Sequence, residues 1–135
     1  MEMNGIMKVS KRYYLRQVAA CVLACCMFFN ASVVLAVDWA DASVAAGSAS
    51  QVPGSIPGVY TGIGVGSDRA VINWSGGGID AVSGETLEFM RRGDQAFAVL
   101  NRVINGVQTN FNGRLIGNNG HIIILNTKGV VFGPD

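Results

Sequence analysis

The side chains best equipped for chemistry in this sequence are carboxylates, with Asp80, Glu85, Glu88 and Asp94 crowded into one short stretch of a 135-residue chain. Glycoside cleavage needs two carboxyl groups about 5–10 Å apart, one as acid and one as nucleophile or base. No two of these four stand in a recognisable pair. The single histidine, His121, follows the turn formers Asn119-Gly120, with no carboxylate or nucleophile pattern beside it. The three cysteines, Cys21, Cys25 and Cys26, share one apolar block, so the rest of the chain has no thiolate for a metal site and no disulfide. Gly62-Ile63-Gly64-Val65-Gly66 and Gly76-Gly77-Gly78 look like phosphate loops. Such loops hold the anion at the N-terminus of a following helix. Here the pattern predicts a strand after the first and a turn after the second. The expectation is therefore no enzyme: no catalytic, cofactor-binding or metal-binding residues.

The composition points to export. Half of the residues are hydrophobic and 14% are charged, yet much of the apolar excess lies in residues 18–37. Lys8, Lys11, Arg12 and Arg16 precede that block. From Val37 onward six bases (Arg69, Arg91, Arg92, Arg102, Arg114, Lys128) face eight acids, a net charge of −2. No basic stripe remains for a nucleic acid, and that class of partner is set aside. A basic n-region at 1–17, an apolar h-region at about 18–33 and the compact trio Val34-Leu35-Ala36 form the layout of a secretory signal peptide, helical while it engages the export machinery. Signal peptidase is expected to cut after Ala36. Two alternatives compete. The block approaches the roughly 20 apolar residues of a bilayer-spanning anchor, against which stand Asn30, Ser32 and the cleavage site. Val22-Leu23-Ala24-Cys25 resembles a lipoprotein site, but little apolar chain precedes Cys25. Either would make a small membrane-anchored envelope protein.

The exported part reads as strands and turns. Residues 37–58 form a Gly/Ser/Pro-containing lead-in segment or linker, with Pro53-Gly54 and Pro57-Gly58 as turn signals. Beyond it, 69–74, 85–90, 96–103, 111–116, 121–126 and 130–132 are short runs rich in Val, Ile, Leu and Phe. Between them lie Asn-Gly and Gly-rich turns. Leu87/Phe89 and Phe97/Val99 alternate with period 2, and no stretch sustains a helical period. The 18 glycines and the frequent Asn suit tight corners. These features predict an all-β fold with almost no helix, either a right-handed parallel β-helix or a sandwich or barrel.

Four segments carry a resemblance. Residues 68–74 (Asp-Arg-Ala-Val-Ile-Asn-Trp) with 84–89, residues 98–103 (Ala-Val-Leu-Asn-Arg-Val), residues 112–115 with Asn119-Gly120, and residues 124–133 (Ile-Leu-Asn-Thr-Lys-Gly-Val-Val-Phe-Gly) come in an order and spacing similar to the haemagglutination-activity, or two-partner secretion, domain of filamentous-haemagglutinin-type adhesins. Gly47-Ser48-Ala49-Ser50 resembles the start of that domain. The residues matching its secretion signature are Asn73, Trp74, Asn101, Arg102, Val103, Asn126, Gly129, Phe132 and Gly133. The resemblance implies a right-handed parallel β-helix over 59–135, with an N-terminal cap and first coils. It implies export by the general secretion machinery and then through an outer-membrane β-barrel transporter with POTRA domains. Downstream repeats then carry adhesion to host or cell-surface receptors, and the product is secreted or held at the cell surface. Thr127 and Lys128 replace a family Pro and Asn, so that turn loses a fixed φ and gains a charge. Family members continue beyond the point matching Asp135, so the domain is expected to be incomplete at its C-terminus, with a non-functional truncated adhesin as an alternative. From the residues themselves, Asn101 and Asn126 are expected at corners with structural roles, transporter contact being the alternative; Arg102 and Arg114 are expected on a solvated face, with binding to an acidic transporter surface the alternative; and Trp74 is expected as a packing residue closing the cap rather than a ligand platform.

Overall fold

The computed structural model describes residues 36–134. The signal segment, including Val34 of the expected cleavage site, lies outside the described residues, while Ala36 is the first residue inside them.

The described residues are all-β. Ten strands run in sequence among them: β1 (Ala42–Ala46), β2 (Ala49–Gln51), β3 (Tyr60–Val65), β4 (Arg69–Trp74), β5 (Thr86–Met90), β6 (Phe97–Val103), β7 (Thr109–Phe111), β8 (Arg114–Ile116), β9 (Gly120–Leu125) and β10 (Val130–Phe132). The helical content of the described residues is two single 3-10 turns, Trp39–Asp41 and Arg92–Asp94.

The strands form three ladders, ordered β1-β4-β6-β9, β2-β3-β5-β8 and β10-β7. The sheets are mixed. β4-β6-β9, β3-β5-β8 and β7-β10 pair in parallel, whereas β1 on β4 and β2 on β3 are antiparallel. Paired residues of the parallel ladders lie 21 to 29 positions apart in sequence, from Thr109–Val130 to Arg69–Ala98.

Period-2 alternation aims one face of each strand at a shared core. β4 contributes Ala70, Ile72 and Trp74, β6 contributes Phe97, Val99 and Val103, β3 contributes Ile63 and Val65, and β5 contributes Leu87 and Phe89. Ile79, Ala81 and Phe111 close the third side. Burial weakens toward β9, where Ile122 and Ile124 are half-buried and Ile123 and Leu125 stand about half exposed, at 52% and 48%.

A strand follows Gly62-Ile63-Gly64-Val65-Gly66 as expected, β4 from Arg69, and the first four residues of the glycine-rich run themselves lie in β3, with Gly62 against Val52 and the Tyr60 ring. One expectation needs correction. The run at 111–116 is two strands, broken at Asn112-Gly113, where the chain passes from the β7-β10 ladder to the β2-β3-β5-β8 ladder. The segment 37–58 carries β1 and β2, and it packs within the same unit as the rest of the described chain.

Candidate functional site

The residues singled out by sequence gather in two places. The first is the ladder face where β4 and β6 run in parallel, placing Asn73 beside Arg102 and Trp74 beside Val103. Arg102 Nε donates to Asn73 Oδ1 at 2.9 Å on the outer face. On the inner face the Trp74 indole Nε1 donates to Asn101 Oδ1 at 3.0 Å, and Asn101 Nδ2 donates onward to the Ile123 carbonyl at 3.4 Å. Trp74 and Asn101 are both fully buried. Asn101 is thus not a corner residue. It occupies an inward position of β6 in phase with Phe97, Val99 and Val103, and it is tolerated there because the indole satisfies it. Trp74 meets Trp39 edge-on, ring centroids 6.0 Å apart at 85°. Arg102 is exposed and Asn73 half-buried, so these two present the polar surface of the ladder.

The second group surrounds β7 and β10. Asn126 ends β9 at a turn, where its Nδ2 donates to the Val107 carbonyl and to Thr109 Oγ1, both at 2.8 Å, and its Oδ1 accepts from the Lys128 N–H at 2.8 Å. Gly129 follows with φ +98°, the left-handed region expected of it. Phe132 leans on Phe111 with ring centroids 5.9 Å apart, yet remains 61% exposed. The Gly133 N–H donates to the Phe111 carbonyl at 2.9 Å, and the Asn112 side chain fills the space that a side chain at Gly133 would need. Asn126 therefore ties β9, β10 and the approach to β7 together. We expect Asn126→Ala to cost about 1–2 kcal/mol, since the part-buried Thr109 hydroxyl and two exposed backbone groups lose their partner. Thermal melts check this. A melting point unchanged alongside reduced surface delivery would make the residue a transporter contact instead.

No family model matches the chain, and no curated protein matches it.

Of the four carboxylates, Asp80 and Glu85 are buried. Glu88 accepts from the Tyr60 hydroxyl at 2.9 Å and from Asn118 Nδ2 at 3.2 Å, on the outer face of β5 beside a shallow cleft that Ser50, Met90 and Arg92 also line. Burial, followed by the bond to Glu88 and its charge, pushes the Tyr60 hydroxyl above its ordinary range. His121 is exposed on β9. Among the described residues no three His, Cys, Asp or Glu side chains gather as a metal site would require.

Burial pushes the Asp80 carboxyl above its ordinary range, opposed by the Asn110 N–H that donates to its Oδ1 at 2.9 Å. A raised folded value stabilises the protein below the unfolded value of about 3.9, and that stabilisation is lost as pH rises through the folded value. Asp80→Asn keeps the acceptor and removes the charge. It should raise the melting temperature at pH 7 and change nothing near pH 3. A fall at pH 7 would show that the charged bond to Asn110 outweighs desolvation.

Sequence reasoning named Glu85 only as a candidate carboxylate, missing its inward position and its bonds to the Val37, Gly58 and Val82 N–H groups, and it missed Trp39 altogether. Glu85 was detectable, because extending the Leu87/Phe89 alternation backward puts it on the inward face. Trp39 was not: it sits on a 3-10 turn held by the Asp38 side chain, which accepts from the Ala40 N–H at 2.9 Å.

Proposed function

We propose that this chain is the secretion-guiding N-terminal module of a bacterial surface adhesin of the filamentous-haemagglutinin type, delivered by a partner outer-membrane β-barrel with POTRA domains. In this reading the three parallel ladders are the first coils of a right-handed parallel β-helix. The antiparallel strands β1 and β2 are its N-terminal cap. The right-handed sense follows from the near-universal hand of parallel crossovers.

The observation that carries the reading is the register of β4 on β6. Two segments chosen for their resemblance to successive signature stretches, 68–74 and 98–103, lie side by side, and their signature residues pair: Asn73 with Arg102 and Trp74 with Asn101. The polar pair Asn73 and Arg102 is the exposed part of that signature and the surface offered to a transporter. Asn101 and Trp74 give it a fixed backing.

The test is delivery. Expressed as the full chain with a POTRA-barrel partner, the protein should reach the cell surface or medium, where external protease removes it. Its N-terminus should begin at Val37. Retention in the inner membrane with an intact N-terminus, or lipid on Cys25, would replace this reading with an anchored envelope protein.

A further inference from the structure

Glu85 is a fully buried carboxylate whose side chain faces the first residues of the exported segment. Its Oε1 accepts from the Val37 N–H at 3.1 Å and from the Gly58 N–H at 3.2 Å, and its Oε2 accepts from the Val82 N–H at 3.1 Å. Among the described residues the one ion pair is Arg91 with Asp68, so no cationic side chain there answers Glu85. A buried carboxylate held only by neutral donors is costly, and a well-placed, hydrogen-bonded cation beside it offsets part of that cost. Val37 is itself fully buried, and its carbonyl accepts from the buried Thr61 hydroxyl at 3.2 Å. Val37 is thus held through both its N–H and its carbonyl, with its nitrogen against a fully buried acid that has no counter-charge among the described residues.

We propose that signal-peptide removal completes this site: the new α-ammonium of Val37 forms a buried ion pair with Glu85, which locks the N-terminal cap only after processing. The inference rests on cleavage after Ala36. Hydrolysis of the Ala36–Val37 amide consumes one water, leaving a carboxylate on Ala36 and, after protonation, an ammonium on Val37. No other reactant is needed. In the precursor the same nitrogen is a neutral amide and donates one hydrogen bond. In the mature chain it carries a positive charge and three protons at the same place. Docked Val37 lies between β3, which supplies Thr61, and the loop before β5, which supplies Val82 and Glu85. The pair therefore couples processing to closure of the first turn of chain, and a precursor that has not been cut folds its cap less firmly.

The processed protein is well suited to a test, because from Val37 onward it holds two amines, the Val37 α-amine and the ε-amine of exposed Lys128. An ordinary α-amine titrates near 7.7–8.0 and a lysine near 10.4, so acylation at neutral pH favours the α-amine on the order of a hundredfold. In the folded exported protein we expect the reverse order, with Lys128 labelled first and Val37 protected, and the ordinary order restored in denaturant. Glu85→Gln keeps an acceptor but no charge, and should restore labelling of Val37 in the folded state. A second measurement covers a Glu85→Gln protein that fails to fold. In a Lys128→Arg background, acetylating the one remaining amine in denaturant and refolding should lower the melting temperature by roughly 10 °C or more. N-terminal sequencing separates the two ways to fail. A start other than Val37 overturns the cleavage reading and this inference together. A start at Val37 with the α-amine labelled ahead of Lys128, or with acetylation leaving the melting temperature unchanged, overturns the ion pair and leaves the cleavage reading standing.

Discussion

Trp74→Ala is expected to lower stability by about 3–5 kcal/mol, the scale of removing a large aromatic from a packed core. For a domain whose total stability is about 5–15 kcal/mol, that approaches unfolding. The indole is wholly buried, meets Trp39 edge-on, and is the donor that satisfies Asn101 inside the core. The hydrogen bond can be separated from the packing. Trp74→Phe retains most of the apolar contact but strands the Asn101 Oδ1, whose side chain then keeps only the long 3.4 Å bond to the Ile123 carbonyl. Asn101→Leu strands the indole N–H. Either change alone should cost about 1–3 kcal/mol, whereas the double variant leaves neither group stranded and should cost less than the sum. Denaturant melts of the processed protein measure the cycle, followed by far-UV circular dichroism because Trp74 is absent from two of the four proteins. Strict additivity would mean that the bond contributes nothing and that Asn101 is held by its surroundings alone.

Asn101 and Glu85 also mark how far the sequence could be read. The strand positions were legible because apolar residues alternate: 69–74 and 130–132 match β4 and β10, and the other runs differ by a residue or two at their ends or divide in two. The same alternation, carried through without regard to polarity, places Asn101 and Glu85 inside, in phase with Val99 and Leu87. The preference of Asn for bends suggested a corner for Asn101 instead, although it falls within the run 96–103. A buried polar group needs a partner, and the partners here come from Trp74 and from the Val37, Gly58 and Val82 backbone, distant in sequence. No local pattern carries that information. The direction of β1 and β2 was equally hidden. Small residues such as Ser43, Ala45 and Ser50 fit a linker as well as an edge strand, and the chain reversal that makes β2 antiparallel to β3 lies in residues 52–59, where Ile56 bridges to Tyr60.

Gly47→Val is expected to be the most damaging change in the cap, and markedly worse than Gly129→Val. Both glycines have positive φ, +70° and +98°, so a β-branched residue at either pays the left-handed backbone penalty of about 1–3 kcal/mol. The difference lies in the space around them. At Gly129 the nearest atom to a new Cβ is the Gln108 Nε2 at 3.5 Å, an ordinary contact with a flexible side chain. At Gly47 a Cβ would overlap the Arg69 carbonyl oxygen and meet the Ala70 Cα at 3.0 Å, and both are backbone atoms of the neighbouring strand. Relief requires β1 to move off β4, adding about 1–3 kcal/mol of overpacking. Gly47 also sits where the chain leaves the β1-β4 pairing and enters the β2-β3 pairing, so moving one strand drags the other. The Ser67 hydroxyl, which accepts from the Ser48 N–H at 2.9 Å and donates to the Arg69 carbonyl at 2.6 Å, would be pushed aside as well. Melting both variants ranks them, and an equal loss at the two positions would show that φ strain alone matters. The consequence differs in kind too. Detaching β1 and β2 uncovers the free edges of β3 and β4, and open edges template association, so the Gly47 variant should aggregate at concentrations where the Gly129 variant stays monomeric.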